Sequence, residues 1–123
     1  MSNDTRAKIE ELIQNHKVML FMKGTRQFPA CGFSNAVVQI LKKEGVPFET
    51  YNILADPELR QTLKEVSSWP TYPQLYVAGK FVGGCDIVTE LHQSGELAKE
   101  LAESGAAPTS GNRASPPKAP SAE

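Results

Sequence analysis

Cysteine is scarce in this chain: Cys31 and Cys85 are the only two in 123 residues, 54 positions apart. Two thiols make no disulfide framework, and such a chain is expected in a reducing compartment, where a thiol is kept for chemistry or buried. Histidine is equally sparse, and His16 and His92 complete no zinc pattern with these cysteines. The chain is also short for a papain-like cysteine protease. Neither sign of charge dominates, with 13 Lys and Arg against 14 Asp and Glu for a formal net charge of −1. That balance argues against a general nucleic-acid or membrane-surface binder. No run approaches the ~18 apolar residues of a membrane span, and the N-terminal "MSNDTRAKIEEL" lacks an apolar signal core. These absences lead us to expect a cytoplasmic single-domain protein.

Composition changes after residue 103. The segment 104–123 holds four of the nine prolines and no Leu, Ile, Val, Met or aromatic residue. With nothing to bury, ordering it would carry only an entropic cost, so it is read as a disordered tail. Residues 1–103 form the expected folded domain.

Within that domain helical and strand patterns alternate. Asn3 or Asp4 can cap a helix with Ile9, Leu12 and Ile13 on one face, and "VMLFM" (18–22) is a continuous apolar run suited to a buried strand. A second helix opens after Cys31, carries Phe33, Val37, Ile40 and Leu41 at helical spacing, and stops at Gly45. "FETYNI" (48–53) alternates as a strand, and Asp56–Pro57 supplies the cap and first residue of a helix to about Val66. "PQLYVAGKFVGG" reads as a hairpin turning at Ala78–Gly79–Lys80. Asp86 can cap a helix through Ile87 and Leu91, and Leu97 and Leu101 mark a last helix. The order α-β-α-β-α-β-β-α-α predicts an α/β thioredoxin-like fold, a four-stranded mixed sheet flanked by helices.

Three stretches carry chemistry. In "FPACGFS", Cys31 precedes a helix whose unpaired N–H groups and dipole favour a thiolate, with Lys23 as a nearby positive charge and Gly32 leaving the sulfur approachable. A second thiol is missing: Ser34 stands where a C-x-x-C pair would place it, and is read as an ordinary first-turn serine. Cys31 must then work with a thiol from elsewhere, namely a small molecule, another subunit or Cys85. In "WPTYPQLYV", a cis Tyr72–Pro73 bond would hold the Tyr72 backbone extended for a peptide-like ligand, whereas the alternative is a rigid trans turn. In "GGCDI", the N–H groups of Cys85 and Asp86 at a helix start suit a carboxylate, and the Asp86 side chain suits an N-cap or a ligand ammonium. Cys85 itself stays open between a small packed residue and a second thiol.

"MKGTRQFPACGFS", "WPTYPQLYV" and "GGCDIV", in this order and spacing, resemble the monothiol glutaredoxins of the CGFS class, in particular the bacterial single-domain glutaredoxin D type. The likeness covers roughly residues 5–103. It implies a glutathione site and a subunit-bridging 2Fe–2S cluster, with Cys31 as the active thiol and iron ligand. It places Lys23 and Arg60 at the glycine carboxylate of glutathione, Tyr72 with Pro73 along the tripeptide backbone, and Cys85 with Asp86 at its γ-glutamyl end. The implied function is a cluster carrier that works as a homodimer through the cluster, with a BolA-like protein and apo iron–sulfur proteins as partners. The alternative is a glutathione-dependent thiol–disulfide oxidoreductase acting through Cys31.

Overall fold

The computed structural model describes residues 3–105. In chain order they form α1 (Asn3–Asn15), β1 (Val18–Met22), α2 (Gly32–Glu44), β2 (Glu49–Asn52), a 3-10 turn (Ile53–Ala55), α3 (Pro57–Ser67), β3 (Gln74–Val77), β4 (Lys80–Gly83), α4 (Cys85–Ser94) and α5 (Glu96–Glu103). The expected order of elements is therefore the observed one. The sheet runs β2-β1-β3-β4, with β1 parallel to β2 and antiparallel to β3, and β3 antiparallel to β4.

The apolar run of β1 is buried along its whole length because both faces of the sheet are covered. Val18, Leu20 and Met22 meet Val37, Val38 and Leu41 of α2, Val88 of α4, and Leu97 and Leu101 of α5. Met19 and Phe21 point the other way, to Ile9 and Ile13 of α1 and to Leu59 and Leu63 of α3. This is the two-residue alternation of a strand read out on two cores.

Helix ends follow their signals, with two exceptions. Asn3 and Asp4, the expected caps of α1, lie inside that helix, which already includes Asn3. Gly45 closes α2 in the left-handed conformation, its N–H bonded to the carbonyls of Leu41 and Lys42. The Asp56 carboxylate accepts the N–H of Leu59 and caps α3, with Pro57 in the first turn. The hairpin turns on Ala78 and Gly79, both at positive φ. Asp86, however, is not an N-cap: α4 starts at Cys85, the cap position is Gly84, and no side chain closes it. A Cβ at Gly83 would lie 2.8 Å from Cβ of Ile87, and one at Gly84 would lie 3.2 Å from the Pro73 carbonyl. Two glycines thus let the helix begin earlier, tight against Pro73, and Asp86 falls inside its first turn. The tail expected from residue 104 lies, apart from Ser104 and Gly105, outside the described residues.

Candidate functional site

Strand register brings the three stretches together. Phe21 pairs with Gln74 across β1 and β3, so the chain leaving β1 at Lys23 runs beside the segment 69–73 that enters β3. The Tyr72–Pro73 peptide is cis. That segment is fixed from inside by Gln74, fully buried, whose amide donates to the carbonyls of Trp69 (3.1 Å) and Thr71 (3.2 Å). The start of α4 closes the far side.

Between these elements lies a cleft of about 500 Å3. Of the residues expected from sequence, Lys23, Tyr72, Pro73, Cys85 and Asp86 line it. Phe33, Trp69, Thr71 and Ile87 line it as well, without having been assigned a role. Phe33 corrects the helical-face reading: it is 64% exposed rather than packed with Val37 and Leu41, because in the first turn of α2 the buried position falls to Ser34 and Phe33 faces the cleft. Trp69 stacks on Phe81 at 5.6 Å, and its indole nitrogen is buried with no hydrogen-bond partner among the described residues.

Cys31 adjoins the cleft between its lining residues Lys23 and Phe33. It holds the N-cap position of α2 in extended backbone conformation, and both cysteines are free, partly exposed thiols. Burial pushes the Cys31 thiol up. The backbone N–H groups of Ser34 and Phe33, the Ser34 hydroxyl and the Lys23 ammonium together outweigh it, and the net effect lowers the thiol below its ordinary value. Ser34 is more than a first-turn serine. It is completely buried, and its hydroxyl accepts the backbone N–H of Lys23 at 3.1 Å, joining the end of β1 to the first turn of α2.

Arg60 does not form part of the cleft wall. It sits on α3 behind Tyr72, whose hydroxyl donates to the Arg60 carbonyl at 2.6 Å, and its Nε is buried without a partner among the described residues. The Tyr72 side chain is therefore a structural strut, and burial, reinforced by Tyr76 and opposed by Arg60, pushes its phenol far up. Cys85 packs against the α2-side core with its sulfur 4.0 Å from the Thr89 hydroxyl, which is the packed reading of this residue. Among the described residues no group of three or more His, Cys, Asp or Glu side chains is placed to hold a metal ion.

The loop before Cys31 is ordered by contacts that the sequence did not announce. Thr25 and Phe28 exchange backbone hydrogen bonds, Ala30 N–H bonds the Lys23 carbonyl at 2.9 Å, and the Asn52 amide oxygen accepts from both Gly24 (2.9 Å) and Leu54 (3.0 Å). Gly24 lies at φ 90°, and a Cβ there would come within 2.4 Å of the Ala30 nitrogen. Only glycine fits this close turn.

The glutaredoxin family model matches residues 18–82, which contain β1 through most of β4 and every element of the cleft wall except the start of α4. A ycf64-like monothiol glutaredoxin of Synechocystis is 58% identical over 101 residues, covering 82% of this chain and 94% of the relative. The mitochondrial monothiol glutaredoxin-5 of Saccharomyces cerevisiae is 51% identical over 109 residues, 86% of this chain and 73% of the relative. The solution structure of reduced poplar apo GrxS14 superposes with a TM-score of 0.74 at 54% identity, covering 81% of this chain and 92% of that one. No helix among the described residues is long and apolar enough to cross a membrane. With the sheet order, the lone thiol at the start of α2 and these likenesses in agreement, the chain belongs to the monothiol glutaredoxin family.

Proposed function

We propose that this protein binds glutathione in the cleft beside Cys31 and carries a 2Fe–2S cluster between two subunits as cargo for apo iron–sulfur proteins. The observation that carries the reading is one lowered, partly exposed thiol, Cys31, with a buried hydroxyl, Ser34, where a second thiol would stand. Such a cluster takes four ligands. At the start of α2 one chain offers the Cys31 thiol and only a hydroxyl, Ser34, beside it, so two chains and two glutathione thiols complete the set as a homodimer.

The cleft supports glutathione as the second thiol source. The Lys23 ammonium and the N–H groups of Cys85 and Asp86 at the start of α4 suit carboxylates. The Tyr72 main chain suits the peptide and the Asp86 carboxylate suits a ligand ammonium. Arg60, expected with Lys23 at the glycine carboxylate, keeps an unpartnered Nε among the described residues. A BolA-like partner follows from the CGFS resemblance and, with the cytoplasmic location expected from the sequence, belongs to the same proposal. The lowered thiol also favours a second reading, glutathione-dependent thiol–disulfide exchange with Cys31 as nucleophile.

The test compares two variants after anaerobic reconstitution with glutathione. Cys31→Ser should lose the iron–sulfur absorption, while Cys85→Ser, which keeps its backbone N–H, should retain most of it. Equal loss in both would make Cys85 a ligand and overturn the assignment.

A further inference from the structure

Phe28 is 81% exposed, and it belongs to a loop that is anything but loose. Its N–H bonds both the backbone carbonyl and the hydroxyl of Thr25. Arg26, beside it, donates to the Phe48 carbonyl and stacks on the Phe48 ring at 4.2 Å. The Asn52 amide then ties Gly24 at the base of the loop to Leu54, itself 46% exposed. Several side chains thus cooperate to hold a large apolar ring out in water three residues before Cys31, and Phe33, two residues after it, stands 64% exposed. Phe33 lines the glutathione-sized cleft but Phe28 does not, so a small ligand leaves Phe28 uncovered.

From this we infer that Phe28, with Phe33 and Leu54, is a docking surface for client proteins that present a cysteine on an apolar segment edged with acidic residues. Two arguments select that occupant over a second copy of the chain. The two rings expose roughly 300 Å2, well below the about 800 Å2 per partner of a stable complex, which fits a transient encounter. The free charge beside the patch is cationic: Lys23 has no carboxylate partner among the described residues, while Arg26 is ion-paired with Glu49 at 4.0 Å. Two such faces would repel, whereas an acidic client is attracted and aligned. The tail 104–123 is no candidate, since it carries no large apolar side chain.

The inference rests on the exchange reading of Cys31 and can be tested apart from any cluster. In the exchange step the Cys31 thiolate attacks the glutathione sulfur of a mixed disulfide. A Cys31–glutathione disulfide forms, and the client cysteine leaves as a thiolate that takes a proton from water. Synthetic peptides bearing one S-glutathionylated cysteine flanked by Leu and Glu, by Leu and Lys, or by Ser and Gly serve as probes, with glutathione disulfide as the small reference. The full-length protein should react with the Leu–Glu peptide at least about five times faster than with the Ser–Gly peptide. Phe28→Ala should abolish that preference and leave the rate with glutathione disulfide and the melting temperature unchanged. Equal peptide rates in Phe28→Ala and wild type would overturn the inference, as would a preference for the Leu–Lys peptide. Sedimentation showing that Phe28→Ala dissolves a dimer of the glutathione-free protein would assign the patch to a second copy instead. Failure of the wild type to react even with glutathione disulfide would remove the exchange reading beneath it, and the inference with it.

Discussion

Replacing Ser34 by alanine separates this site from one with an ordinary first-turn serine. The hydroxyl accepts the Lys23 N–H at 3.1 Å, in a position with no solvent access. Alanine leaves that N–H without a partner and without water to replace it, a loss of about 1–3 kcal/mol. The volume removed is one oxygen atom, so cavity formation adds little. A loss of about 1 kcal/mol lowers the melting temperature of a domain this size by about 4–8 °C. The same hydroxyl favours the Cys31 thiolate, alongside the N–H groups of Ser34 and Phe33, which alanine keeps. The midpoint of a thiol-alkylation pH profile should therefore move upward, while remaining below that of a free thiol. Thermal melting and iodoacetamide kinetics across pH read the two effects separately. A variant with wild-type melting and a wild-type alkylation profile would contradict this role of Ser34, because both consequences follow from one buried hydroxyl.

Lys23→Ala should likewise raise the alkylation midpoint, by removing a positive charge near the thiolate, and should weaken glutathione in a calorimetric titration. Arg60→Ala should weaken glutathione without moving the midpoint. Wild-type affinity in both variants would place the carboxylate contacts elsewhere. Acid stability should depend on Asp56, whose carboxyl is held below its usual range first by the Tyr51 hydroxyl at 2.8 Å, against burial, and further by the Leu59 N–H and Lys8. Its contribution is complete above the unfolded carboxylate value of about 4 and is lost as pH falls through the lower folded value. Urea midpoints at pH 6 and pH 3 should therefore converge in Asp56→Asn relative to wild type, and parallel losses in the two proteins would contradict this.

Much of the fold was legible because its signals are local and redundant. The unbroken run 18–22, the Gly45 stop and the Asp56–Pro57 start each act within a few residues, and each holds in three dimensions. The misreadings share a cause in tertiary context. Periodicity assigned Phe33 to the core face, but in the first turn of α2 the buried position belongs to Ser34, and Phe33 faces the cleft. Asp86 has the chemistry of a cap, yet Gly83 and Gly84 allow close approach to Pro73 and move the helix start to Cys85. Ser34 looked ordinary because its importance lies in a bond to Lys23, 11 positions earlier. Trp69 and Thr71 lie within "WPTYPQLYV", and an aromatic residue between Ser68 and Pro70 in a loop was the available signal that one of them faces a ligand. The pinning of the loop by Arg26 and Asn52 left no local trace at all.

If Cys31 borrows its missing thiol from glutathione, cluster assembly depends on that tripeptide. The test is anaerobic reconstitution with iron and sulfide, with and without glutathione, followed by size-exclusion chromatography and iron assay. Iron–sulfur absorption should appear only with glutathione, in a dimer holding two irons and two glutathiones, which reverts to monomer when the cluster is removed. A stable cluster formed without glutathione on a single chain would contradict that dependence.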